Sequence, residues 1–145
     1  MGISSHVFFK KIISEILGVI LIGLLSVGLF KATSVSYLTV TGVAPCPTVL
    51  NIPACFLVTL GYFMMLSATV FRYRLISKQH AKWLFIVGWS PVVLLALAGS
   101  LLEFTQGEVC PRSDTGIPLC YISLSVAVSV AFLYSLKTTR WYSNV

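Results

Sequence analysis

Charge is what this chain has least of. Only 10% of its 145 residues are Asp, Glu, Lys or Arg, four of them acidic, and histidine occurs twice. Hydrophobic residues make up 57% and the mean hydropathy is +0.95. A surface with so few ionic groups cannot be hydrated, so a soluble globular domain is excluded and the chain belongs to the membrane class. Without a soluble domain, the net charge of +6 is no nucleic-acid footprint. The chain also lacks a glycine-rich phosphate loop, a His-Glu-x-x-His motif and paired carboxylates at a hydrolytic spacing.

Four apolar runs are present, at Ile12–Phe30, Pro53–Phe71, Trp83–Leu102 and Pro118–Leu136. At 1.5 Å per residue each reaches across a hydrocarbon core about 30 Å thick. The expected fold is an all-α membrane protein, a bundle of four transmembrane helices forming a single integral membrane domain over residues 1–145. The first run follows Lys10 and Lys11, as a signal peptide's apolar region does. It exceeds the roughly 7 to 15 residues of such a region and no small-residue cleavage site follows, so it reads as a span.

The basic residues set the orientation, because Lys and Arg near span ends are retained in the cytoplasm. Lys10, Lys11, Arg72, Arg74, Lys78, Lys82, Lys137 and Arg140 fall on one side, against Lys31 and Arg112 on the other. Both termini are expected in the cytoplasm of a cell (inner) membrane, with the intervening loops outside. Attraction to anionic headgroups is a secondary consequence of the inner charge.

Cysteine is also scarce, four residues in all, and every one falls in a phrase that occurs twice. The first runs Cys46, Pro47, four residues, Ile52, Pro53, Ala54, Cys55; the second runs Cys110, Pro111, five residues, Ile117, Pro118, Leu119, Cys120. Cys110 lies 64 residues after Cys46, and Cys120 lies 65 after Cys55. This is the mark of a duplicated unit, with repeats over about 8–74 and 78–140. Two spans per unit give the halves the same orientation, related by an axis along the membrane normal.

Pro53 and Pro118 suit the first turn of a helix, where a missing N–H costs nothing. Cys55 and Cys120 then lie in that turn, where the helix dipole and free N–H groups favour a thiolate. Ala32–Ala44 is polar and β-branched, and is expected as an extended loop over the outer face. Ser14 and Gly18 form a small-xxx-small pair suited to close helix contact. Pro91 is expected to kink the third span. Trp83, Trp89, Tyr121 and Trp141 read as interfacial anchors. Glu15 lies four residues after Lys11, within reach of water and an ion-pair partner. Glu103, Glu108 and Asp114 read as solvated loop charges.

Three chemistries fit the cysteines. An oxidising outer face favours disulfides Cys46–Cys55 and Cys110–Cys120, each worth about 2.7 kcal/mol by loop entropy. As staples they would make the chain a non-enzymatic membrane subunit or interaction protein. Four thiolates gathered by the pseudo-twofold could instead hold zinc or copper(I) without help from His6 or His80, both on the inner side. The third chemistry is thiol–disulfide exchange.

Four spans with inner termini and two outer cysteine pairs resemble, in layout, the DsbB and vitamin K epoxide reductase type of membrane thiol oxidoreductase. The resemblance implies electrons passing from a thioredoxin-like partner, through one pair and then the other, to a quinone in the bundle. On that reading Cys55 and Cys120 lie nearer the quinone, while Cys46 and Cys110 meet the partner. Those families use Cys-x-x-Cys; the spacings here are Cys-x8-Cys and Cys-x9-Cys.

Overall fold

Four long helices account for most of the described residues, because a backbone in lipid must satisfy its own N–H and C=O groups. The computed structural model describes residues 3–43, 46–49, 51–71, 77–107, 110, 112 and 116–142. The helices are α1 (Ile3–Val40), α2 (Ala54–Phe71), α3 (Lys78–Gln106) and α4 (Leu119–Tyr142). Each is long and apolar enough to cross a membrane. Arg72, Arg74, Glu108, Pro111 and Asp114 lie outside the described residues, as do the side chains of His6, Lys10, Lys11, Lys78, Arg140 and Trp141.

Each helix packs on the next and α1 also meets α4, closing a four-helix ring. Gly61 and Gly88 bring α2 and α3 together: a Cβ on Gly61 would come 2.6 Å from the Gly88 carbonyl oxygen, and one on Gly88 would come 2.8 Å from that of Gly61. Two backbones approach this closely only where both residues lack a side chain. Around the crossing, Leu21, Leu25, Tyr62, Met65, Phe85, Val92, Val130 and Tyr134 form the core. Phe85 stacks on Tyr134 with ring centroids 3.8 Å apart. Tyr62 lies against Gly28, whose Cβ would come 2.7 Å from its ring. Trp89 is not an interfacial anchor: its indole N–H donates to the Ala127 carbonyl of α4 at 2.9 Å. Trp83 and Tyr121 are exposed near helix ends, and Gly18 is buried. Helix α3 runs unbroken through Pro91.

The expected loop at Ala32–Ala44 is instead mostly helix. Helix α1 continues to Val40 because Thr33, Ser34, Ser36 and Thr39 donate their hydroxyls to carbonyls four residues back. Hydroxyls satisfied within the helix no longer compete for its backbone. Ser36 and Thr59 also meet at 3.0 Å, which ties this extension to α2.

The extension moves Lys31 off the outer end of its helix. Ser36 pairs with Thr59, and Thr39 lies beside Cys55, so in these antiparallel helices Lys31 is level with residues near Tyr62 and Phe63. Helix α2 has only 18 residues, roughly 27 Å, and Phe63 is at its middle. Lys31 is therefore level with the middle of α2, on an exposed face of α1. A lysine at the centre of a bilayer costs about 2.5–3.5 kcal/mol on insertion scales.

Candidate functional site: two disulfide loops at one end of the bundle

Since α1 and α2, and α3 and α4, are antiparallel neighbours, the loops that join them lie at one end of the bundle, opposite the termini. In the first, Thr48–Val49 (β1) and Ile52–Pro53 (β2) pair antiparallel, Thr48 opposite Pro53 and Val49 opposite Ile52. Asn51 takes the turn at φ 64°, a left-handed conformation its short polar side chain tolerates. The Ala54 N–H donates to the Pro47 carbonyl at 3.0 Å and carries the ribbon into α2. Pro53 thus closes the ribbon rather than opening the helix. Cys46 and Cys55 flank the ribbon and are joined, Cα to Cα 6.5 Å.

The second loop uses an equivalent register. Arg112 bridges Pro118 antiparallel; each lies two residues inside its cysteine, as Thr48 and Pro53 do. Cys110 and Cys120 are joined with Cα atoms 6.2 Å apart. Both separations lie within the usual disulfide range of about 4.4–6.8 Å. The cysteines thus pair within each loop and do not form a four-thiolate cage. No cluster of His, Cys, Asp and Glu suited to a metal occurs among the described residues.

The surroundings of the two pairs differ. In the first, Cys55 is the second residue of α2 and is buried, with the Thr39 hydroxyl 4.0 Å from its sulfur. Cys46 is half-buried on the ribbon. In the second the order reverses: Cys110, expected as the outer cysteine, is only 4% exposed, while Cys120 in the first turn of α4 is half-buried. The cause is Gly99 of α3. A Cβ there would come 2.8 Å from the Cys120 sulfur and 3.3 Å from the Cys110 sulfur, so the absent side chain is the seat of the disulfide.

Glu103, one turn beyond Gly99 on the same face, is buried and not a solvated loop charge. Its Oε2 accepts the Cys110 N–H at 2.9 Å, and its Oε1 lies 3.7 Å from Nη2 of Arg112. Arg112 is half-exposed, so solvent screens the ion pair, and the hydrogen bond is the stronger restraint. Glu103→Gln keeps an acceptor and is expected to cost about 1 kcal/mol. Glu103→Leu orphans a buried N–H and should cost about 2–3 kcal/mol. Thermal unfolding in detergent measures both, and the leucine variant should also yield Cys110–Cys120 more readily to a reductant.

Sequence reading found all four cysteines but missed Gly99 and Glu103. Their signal was present only as an i,i+4 pair at the end of the span preceding Cys110. No family model, curated protein or solved structure matches this chain.

Proposed function

We propose that this is a membrane thiol–disulfide oxidoreductase in which Cys46–Cys55 is the exchanging pair and Cys110–Cys120 a structural staple. The cysteine end faces the extracytoplasmic side, as the lysine and arginine distribution indicates, and the two halves derive from a duplicated unit. The observation that carries the reading is the unequal burial of the two leading cysteines, Cys46 half-buried on a ribbon and Cys110 enclosed over Gly99 and Glu103.

The chemistry follows from the positions of the two sulfurs. A thiolate of a dithiol partner attacks Sγ of Cys46, forming a mixed disulfide, and Cys55 leaves as a thiolate. Its place in the first turn of α2 stabilises that anion through free N–H groups and the helix dipole. The partner's second thiol then resolves the mixed disulfide and releases Cys46. The partner is oxidised to a disulfide and the pair is reduced to two thiols, which a disulfide oxidant regenerates by the reverse exchange. A thioredoxin-like protein has the required dithiol. The interior beneath is packed by Tyr62, Met65, Phe85 and Tyr134, and the exchange needs no step beyond the two sulfurs and the partner's thiols.

The second pair is read as the staple because its sulfurs fill the space over Gly99. At Cys110 an incoming thiolate meets burial and the Glu103 carboxylate beside its N–H, while Cys120 is half-buried.

The test is trapping. In Cys55→Ala the unpaired Cys46 thiolate is expected to attack a thioredoxin-like protein whose single active cysteine is held as a disulfide with thionitrobenzoate, forming a mixed disulfide as thionitrobenzoate leaves, while Cys110 in Cys120→Ala forms at least roughly tenfold less. Mass spectrometry of membranes separates the adducts. Equal trapping at both cysteines, or none at Cys46, ends the exchange reading and leaves two staples.

A further inference from the structure

Lys31 has no role in the disulfide chemistry, yet it is the least expected charge in the molecule. It lies on α1 level with the middle of α2, as the Ser36–Thr59 and Thr39–Cys55 contacts require. Among the described residues it has no ion-pair or hydrogen-bond partner, and it faces outward. An ionisable group at that depth ordinarily pairs with another group or lines a polar path. The same outward side of α1 carries Phe30, Thr33, Ser34, Tyr37 and Leu38, which line a shallow groove. Two turns earlier, Gly23 opens onto empty space. Small and hydroxyl-bearing residues let a neighbouring helix come close.

We infer that this face of α1 receives a transmembrane helix of a partner protein that carries a carboxylate at mid-membrane depth, paired with Lys31. Charge complementarity selects the occupant. From mid-membrane depth, the outer lipid phosphates are roughly 20 Å away, beyond the edge of the hydrocarbon core. Helical side chains lean towards their own N-terminus, so the Lys31 stem points away from those phosphates. A second copy in the same orientation offers no acid at this depth. Glu15 lies sixteen residues earlier, roughly 24 Å along the axis, and Glu103 is held at the disulfide end by Cys110 and Arg112. A foreign carboxylate is what remains.

The inference is independent of the exchange reading and is tested without it. The full-length protein is placed in phosphatidylcholine bilayers with a fluorescent leucine-based helix of about 20 residues carrying one central Glu, and association is followed by energy transfer. The Glu helix is expected to bind about tenfold more tightly than an all-apolar helix. Lys31→Leu should remove that preference while keeping both disulfides and the thermal unfolding profile. Lys31→Glu should transfer the preference to a helix with a central Lys. A preference that survives Lys31→Leu overturns the inference, as does its absence in the wild type. It also falls if phosphatidylglycerol abolishes the preference, which makes lipid the occupant, or if a Lys31-dependent homodimer excludes the helix.

Discussion

Gly61→Leu is expected to prevent the bundle from assembling. A Cβ at this position would overlap Val92 and come 2.6 Å from the Gly88 carbonyl oxygen, and a leucine adds three more carbons. Overpacking in a core typically costs about 1–3 kcal/mol where side chains can give way. Here the obstacle includes backbone, which can yield only if α2 and α3 separate, so a loss of roughly 3 kcal/mol or more is expected. Gly88→Leu should behave alike, since its Cβ would come 2.9 Å from Met64 Cβ and 3.2 Å from the Met65 nitrogen. Gly23→Leu, where nothing lies within 4 Å of the added carbon, serves as the control. Recovery of monodisperse protein from membranes, followed by thermal unfolding, reads the difference. Comparable recovery of the Gly61 and Gly23 variants would overturn the close crossing.

Removing the second disulfide is expected to cost more than removing the first. The loops are nearly equal, with cysteine separations of 9 and 10 residues, so loop entropy assigns each bond about 2.7 kcal/mol. Any difference between them therefore measures what the sulfurs touch. Cys46–Cys55 sits on a ribbon held by its own backbone bonds. Cys110–Cys120 fills the space over Gly99 and fixes the loop that Glu103 grips. Cys110→Ala/Cys120→Ala is thus expected to lose about 1 kcal/mol beyond Cys46→Ala/Cys55→Ala through lost packing. In a chain of this size that lowers Tm by roughly a further 2–4 °C. Equal melting temperatures, or a larger loss from the first pair, would contradict the division between an exchanging and a structural pair.

The apolar runs and the two cysteine phrases were legible because they are local signals. A run of about 20 apolar residues has only helical solutions in lipid, and a Cys-Pro to Ile-Pro-x-Cys phrase brings its cysteines together by chain length alone. The segment after Phe30 was misread because serine and threonine favour loops unless their hydroxyls find a partner. In α1 the partners are carbonyls one turn back and Thr59 on another helix. Glu103 was misread for a related reason: a carboxylate near a span end is ordinarily hydrated, and only the return of the chain at Cys110 covers it.

The sequence by itself determined a membrane protein of four helices with its cysteines in two like loops, because hydropathy and the repeated phrase are written along the chain. The tertiary structure alone decided that the loops are not alike in surroundings, that Gly61 and Gly88 form the helix crossing, and that Lys31 stands level with the middle of α2. Those outcomes depend on which residues of different helices stand level with one another, and helix packing sets that level.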